Sequence, residues 1–353
     1  MVRVELVVRE IVFAVPGDLA TPTGGYVYDR RMIGELTALG WTVEVLDLGS
    51  GFPHPTPEMR AAAANTLKAV DKGRLIIVDG LAFGVLPEVA AELRKTHRLI
   101  ALLHHPLALE TGLSGDEAVL LRASEQRALS CASHVIATGA VTMHILAQDF
   151  QVPLERITVI EPGTDAPPVA PHQPGDRVAL LSVGAVVPRK AYDVLVAALH
   201  QVRELRWRLV LVGDITRSAP TVRELQAQIA RLGLCDRIDM RGAVSPEQVA
   251  ALYSSSDIFV WSSRFEGYGM AFTEALAHGL PVVGTRVGAV QNVPEDAGVL
   301  VPVDNPDALG RALRRLIENP QERERLAAGA RAVTFPSWRK QAERFARVLQ
   351  DLA

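Results

Sequence analysis

FVWSSRFEGYGMAFTEALAHGLPVVGTRVG, residues 259 to 288, decides the fold. An apolar run at 257–261 leads into a loop holding Gly267 and Gly269, then a helical stretch, then a second apolar run at 280–283. Strand, loop, helix, strand is the repeating unit of a parallel sheet. Two glutamates, Glu266 and Glu274, stand eight positions apart, one at the strand's carboxyl end and one about a turn inside the helix. The amides that open this helix, at Gly269, Met270, Ala271 and Phe272, carry partial positive charge. Carboxylates accept hydrogen bonds from hydroxyls and helix-start amides attract anions, so a polyhydroxylated ligand carrying phosphate suits the segment.

The same alternation extends in both directions. Strands are expected at 11–15, 42–46, 75–78, 99–103, 134–137 and 157–160, and again at 178–183, 208–212 and 238–240. Helices are expected at 26–39, 57–70, 192–205, 223–232, 246–253, 307–318, 321–330 and 338–352, the last capped by Ser337. Uninterrupted Val, Ile and Leu runs between helices imply parallel sheets covered on both faces. At the start, Val2, Val4, Leu6 and Val8 alternate with charged or polar neighbours, which predicts a half-buried strand; Arg3, Glu5, Arg9 and Glu10 rule out the apolar core of a signal peptide. A proline- and glycine-rich stretch at 161–175 reads as a linker. The expected organisation is α/β: two doubly wound, Rossmann-like domains, 1–165 and 166–335, with a closing helix at 336–353 and a cleft between the domains. Ligands of such sheets lie beyond the strand carboxyl ends.

Composition narrows the function. A chain of 353 residues with 48% hydrophobic residues suits two cores rather than one. Lys and Arg number 37 against 40 Asp and Glu, so no basic field points to nucleic acid or an anionic membrane. The cysteines, Cys131 and Cys235, form no CxxC or Cys/His cluster, which speaks against structural zinc or a disulfide framework and fits a reducing cytoplasm. No apolar run has transmembrane length, and the lack of a basic amphipathic anchor tilts away from lipid while leaving peripheral membrane contact open. Neither GxGxxG nor GxxxxGK[ST] occurs, so nicotinamide-type and P-loop sites are not indicated.

The segments EGYGMAFTEALAHGLPVVGT (266–285), RITVIEPGTD (156–165), LLSVGAVVPRKAYDVLVAAL (180–199), the Gly24-Gly25 pair and PSWRKQAERFARVL (336–349) together resemble a retaining glycosyltransferase of the GT-B fold, in the family 4, or group 1, type. The resemblance implies that Glu274 holds the ribose hydroxyls of a nucleotide-sugar donor. It implies that Glu266 meets the donor sugar's hydroxyls, with the amides of 269–272 assisting. Lys190 corresponds to the family's phosphate-contacting lysine, beside Arg189. Where the family tends to carry an arginine after the VG pair, this chain has Ala185, and Arg189 is the candidate replacement. Ala191 stands at the family's usual glycine, a small change. Gly24 and Gly25 would let backbone approach phosphate or sugar. His104, with His105 as the alternative, would lie near the reacting carbon, and Gly213-Asp214 near the base. The closing helix would pack back on the first domain.

Read without the resemblance, each residue has a plainer role: a solvated glutamate, a basic pair before a helix, a tight glycine turn, a structural histidine. The resemblance further implies front-face transfer with retention, without metal or cofactor. The donor would be a UDP-sugar, with a GDP-sugar as alternative, and the acceptor a small molecule or glycan. An epimerase or phosphorylase of the same fold, or a non-catalytic sugar-nucleotide binder, are the competing readings.

Overall fold

The computed structural model describes residues 9–165, 175–288 and 293–352. Two six-stranded sheets, parallel throughout, carry the chain. The first comprises β1 (Glu10–Val15), β2 (Thr42–Asp47), β3 (Leu75–Asp79), β4 (Arg98–Leu103), β5 (His134–Ala137) and β6 (Ile157–Val159), in the order β2-β1-β3-β4-β5-β6. The second comprises β7 (Val178–Val183), β8 (Trp207–Val212), β9 (Ile238–Met240), β10 (Ile258–Trp261), β11 (Val282–Thr285) and β12 (Gly298–Val301), in the order β12-β11-β10-β7-β8-β9. Strands such as LIIVD at β3 and IFVW at β10 are buried along their whole length. Both faces are covered by helices, so no polar alternation is needed.

The chain divides into two units: residues 1–163 with 337–353, and residues 164–336. In the first, Val12, Ile76, Ala101 and Val135 centre the core. In the second, Leu180, Leu209, Ile258 and Val283 do so. Each sheet reverses its winding direction once, between β1 and β3 in the first and between β10 and β7 in the second. At such a switch point adjacent loops diverge and leave a crevice beyond the strand carboxyl ends.

The last helix, Trp338–Leu352, belongs to the first unit and packs on the helix Gly24–Ala38. Trp338 meets the Tyr28 ring edge-on at 5.9 Å, and the Arg31 guanidinium lies 5.1 Å over the indole. Tyr28 donates to the Ile160 carbonyl at 2.9 Å, and Arg344 to that of Val159 at 2.9 Å. Ser337 caps the helix by accepting from the Lys340 amide.

Several boundaries differ from expectation. Gly24 and Gly25 are not loop residues. They open the helix Gly24–Ala38, because the Thr23 hydroxyl accepts from the Tyr26 amide and starts the helix two residues early. The helix expected at 192–205 ends at His200, where the chain turns so that the Trp207 indole can donate to the Val202 carbonyl. Strand β12 and the helices Pro87–Leu93, Gly115–Cys131 and Ala140–Asp149 were not anticipated. The expected strand through Val2, Val4, Leu6 and Val8, and the linker positions 166–174, lie outside the described residues.

Candidate active site

The loops beyond the carboxyl ends of β10 and β7 collect most of the expected residues. After β7 the chain makes a short helical turn, Pro188–Lys190, and after β10 it runs through Ser262, Ser263 and Arg264 to Glu266. Both segments follow strands that are neighbours in the sheet, so residues more than 70 positions apart meet. Lys190 Nζ donates to Glu266 Oε1 at 2.5 Å, and Arg189 Nη1 to Oε2 at 3.4 Å. The Ser263 hydroxyl adds a third bond, to Oε1 at 2.6 Å. Glu266 is buried at 8% exposure. Burial alone would push its carboxyl up, but the Lys190 ammonium and then the Arg189 guanidinium outweigh it and hold the group at about 2. It is therefore ionised at neutral pH, and the trio carries a net charge of one positive.

A set of bonds joins the two segments. Ser262 Oγ donates to the carbonyls of Lys190 and Ala191 at 2.9 and 2.7 Å. The Arg264 amide donates to the Arg189 carbonyl at 2.8 Å. Its guanidinium reaches the Pro188 carbonyl at 2.8 Å, Asp304 at 2.8 Å and Asp193 at 3.1 Å. Arg189 Nη1 also donates to the Phe265 carbonyl at 2.9 Å. The Pro188–Lys190 turn is thus built into the Glu266 loop. Ala191 follows it at φ 49° and ψ 43°, a left-handed backbone. An alanine there carries a steric cost of about 1–2 kcal/mol that glycine would not, so the alanine in place of the family's glycine is a larger change in backbone terms than in side-chain size. Gly288 lies across the same loop at φ +54°, and a Cβ on it would fall 1.7 Å from the Glu266 carbonyl oxygen.

Gly269 caps the helix Met270–Ala277 from a left-handed conformation, φ 92°, and offers no side chain to its first amides. Those of Phe272 and Thr273 turn back to the Gly269 carbonyl. One turn on, Glu274 Oε2 accepts from the Tyr253 hydroxyl at 3.0 Å, and that hydroxyl also reaches the Ala271 carbonyl at 2.9 Å. Tyr253 is buried and stacks on His278 at 4.8 Å. Gly213 and Asp214 follow β8, next to β7 in the sheet. Asp214 Oδ1 accepts from the amide and hydroxyl of Thr216, both at 2.7 Å, so this carboxylate shapes its own turn.

Gly24, Gly25 and His104 belong to the other unit: the glycines open the helix after β1, beside the switch point between β1 and β3, and His104 follows β4, the neighbour of β3. His104 Nε2 lies 3.0 Å from Asp29 Oδ1 and 3.4 Å from Asp79 Oδ2. Both carboxylates are buried, at 0% and 2% exposure. Burial opposes a charged ring, but Asp29 and then Asp79 carry His104 up to about 10. His105 Nε2 is 4.0 Å from Glu110 Oε2. Sequence reasoning missed Asp29, Asp79, Ser263, Tyr253 and Arg264. Asp79 had a usable signal, a carboxylate at the end of the run LIIVD; the others had none outside the fold.

Comparison with known proteins follows this geometry. A family model described as glycosyl transferases group 1 matches residues 168–333, the stretch that holds Lys190, Glu266 and Glu274. Residues 168–333 belong to that family. A D-inositol 3-phosphate glycosyltransferase of Xylanimonas cellulosilytica is 32% identical over 228 residues, 60% of this chain and 54% of that protein. An MMP alpha-(1->4)-mannosyltransferase of Mycolicibacterium hassiacum is 27% identical over 310 residues, 82% of this chain and 73% of that protein. This chain thus spans about half the length of the first of these relatives. Among solved structures, sucrose-phosphate synthase of Thermosynechococcus elongatus superposes with a TM-score of 0.82 at 22% identity, over 97% of this chain and 99% of that one. Anabaena HepE in complex with UDP and glucose gives 0.74 at 20% identity, over 96% and 99%. The fold of this chain is GT-B. Among the described residues, no helix is long and apolar enough to cross a membrane.

Proposed function

We propose that this protein is a hexosyltransferase that moves a sugar from a nucleoside diphosphate sugar to an acceptor hydroxyl, with retention and without a metal ion. The observation that carries the reading is the cluster Lys190, Arg189 and Glu266 at the β10/β7 switch point, beside a helix whose first amides no side chain caps. A net positive cluster suits a diphosphate, and the helix start beside it adds partial positive charge, although the Phe272 amide is already bonded to the Gly269 carbonyl. Glu274 suits the vicinal hydroxyls of a ribose, which carboxylates accept readily. The UDP held by Anabaena HepE supports a UDP-sugar as donor, with a GDP-sugar as the alternative. The domain roles follow: residues 166–335 take the donor, 1–165 the acceptor, and 336–353 complete the acceptor side.

Transfer requires charge stabilisation on the departing diphosphate. Lys190 and Arg189 supply two cations at a fixed spacing, already oriented by Glu266, so little reorganisation accompanies bond breaking. A double displacement needs a nucleophilic carboxylate beside the anomeric carbon. Glu266 is committed to Lys190, Arg189 and Ser263, which disfavours that role. Front-face substitution remains: the bond to the diphosphate breaks, positive charge develops on the sugar, and a phosphate oxygen takes the acceptor's proton as the new glycosidic bond forms. A thermal-shift panel of UDP, GDP, ADP and their sugars tests the donor, since a ligand at 100 times its Kd stabilises by about 2.7 kcal/mol. Lys190→Ala tests the site: transfer at saturating donor should fall roughly 10²–10³-fold. A near-normal rate would refute the assignment.

A further inference from the structure

The first unit holds a second cation-and-carboxylate cluster, built from two strand ends and a helix beside its own switch point. His104 follows β4, Asp79 closes β3, and Asp29 lies on the helix after β1. One ring nitrogen, Nε2, faces both carboxylates, at 3.0 and 3.4 Å. Carboxylates only accept, so the nitrogen between them carries the hydrogen. We propose that Asp29 and Asp79 are positioning residues for His104: they keep the proton on Nε2 and fix the ring, leaving Nδ1 as the one nitrogen that can meet a substrate.

Packing supports a fixed ring. Tyr28 meets it edge-on at 5.3 Å. A Cβ on Gly25 would sit 3.0 Å from His104 Cδ2 and 3.4 Å from Nε2, so Gly25 is small where the ring lies against the helix. Asp79 Oδ1 accepts from the Leu81 amide at 2.8 Å, which fixes that carboxylate in turn. The titratable groups facing His104 are thus Asp29 and Tyr28 of the helix and Asp79 of the strand end. Burial pushes the Asp29 carboxyl up to about 6, so above that pH, with the ring charged, the trio carries one net negative charge. It does not suit an anion. It suits a carbohydrate oxygen, to which Nδ1–H donates, and a proton-accepting role is closed to the ring. This substrate class rests on the sugar-transfer reading above.

The test reads the ring directly. Nitrogen-15 NMR of the histidine side chains, with His104 assigned by its loss in His104→Ala, follows protonation between pH 6 and 9. The full chain should keep both His104 nitrogens protonated through pH 8. Asp29→Asn should lower the midpoint by roughly 1–3 pH units, the scale of losing an opposite charge at this range. Asp79→Asn retains an oxygen for the Leu81 amide and so removes charge rather than the cap; it should also lower the midpoint. In the transfer assay each Asn variant should lower kcat by roughly 10–100-fold, by analogy with metal-bound histidines that lose an orienting carboxylate. Neither should add to the loss in His104→Ala. Titration of His104 near pH 6.5 in the unaltered chain would overturn the proposal. So would tight Zn²⁺ or Mn²⁺ binding that His104→Ala abolishes, because a metal needs the neutral ring. The NMR result needs no turnover, so it stands apart from any failure to find sugar transfer.

Discussion

Glu266→Gln separates two roles for this residue, holding the cations and holding the sugar. The carboxyl ionises at about 2 in the folded chain against 4.5 when unperturbed. Each tenfold change in proton affinity corresponds to about 1.4 kcal/mol, so ionised Glu266 stabilises the fold by about 3 kcal/mol. Because the folded value is depressed, that stability is present above pH 4.5 and is lost as pH falls through about 2. Glutamine approximates the protonated acid, so the variant should lose about 3 kcal/mol at pH 7. An independent route agrees: removing one partner of a buried ion pair typically costs about 3–5 kcal/mol. Urea denaturation at pH 7 measures the loss. Lys190→Met combined with Glu266→Gln should recover part of it, since the unpaired ammonium goes with its partner.

Nucleotide affinity completes the experiment. If Glu266 chiefly orients Lys190 and Arg189, Glu266→Gln should alter the affinity for UDP itself, which bears the diphosphate and no sugar. If it chiefly anchors sugar, UDP affinity should hold and only the gain on adding the sugar should vanish. A stability loss below about 1 kcal/mol, additive with Lys190→Met, would refute the electrostatic reasoning.

Arg264→Met should loosen the joint between the Pro188–Lys190 turn and the Glu266 loop, weakening UDP binding roughly tenfold, or about 1.4 kcal/mol, by calorimetry; an unchanged Kd would remove Arg264 from the site. Gly25→Ala favours the helix by up to about 1 kcal/mol yet presses a Cβ on His104. Transfer should therefore drop roughly tenfold or more without loss of stability, since small misplacements are costly, and equal activity would show the ring free to move. Glu125 is fully buried, accepts from the Leu107 amide at 3.1 Å, and is raised by burial to about 7. A raised carboxyl stabilises below pH 4.5 and loses that contribution as pH climbs through 7, worth about 3 kcal/mol by pH 8.5. Glu125→Gln should flatten the decline in urea stability between pH 5.5 and 8.5, and an unaltered slope would assign the pH dependence elsewhere.

What the sequence reveals follows from how local each feature is. Buried parallel strands are uninterrupted apolar runs, so β3, β4, β7 and β10 could be read directly. The helix Gly115–Cys131 exposes Val119 and Leu120, which blurs its amphipathic period, and β12 is only the four residues GVLV. Glu266, Glu274 and Lys190 could be singled out as candidates because each lies in a short motif around one strand end. Asp29, Asp79 and His104 are separated by 50 and 25 positions and become neighbours only through the pairing of β1, β3 and β4. Gly24-Gly25 was legible as a pair, but a sequence offers no means to see that Gly25 yields space to a histidine 79 positions on.

The two clusters share a construction and differ in charge. Each stands at the switch point of its sheet, and in each a cation is fixed by carboxylates that have little exposure. In the second unit two cations share one carboxylate, Glu266, and the sum is one positive charge, which favours a diphosphate. In the first, one cation lies between two carboxylates, Asp29 and Asp79, and the sum is one negative charge, which repels phosphate and leaves a donor for a neutral oxygen. Similar folds carrying opposite charge balances can therefore take the two chemically different parts of one reaction. Neutralising either balance is the sharpest test of that division. Asp29→Asn brings the first cluster to neutrality and should erode its discrimination against phosphate. Lys190→Met does the same in the second and should erode its preference for it. If binding of inorganic pyrophosphate changes in neither variant, the charge balances do not sort the ligands.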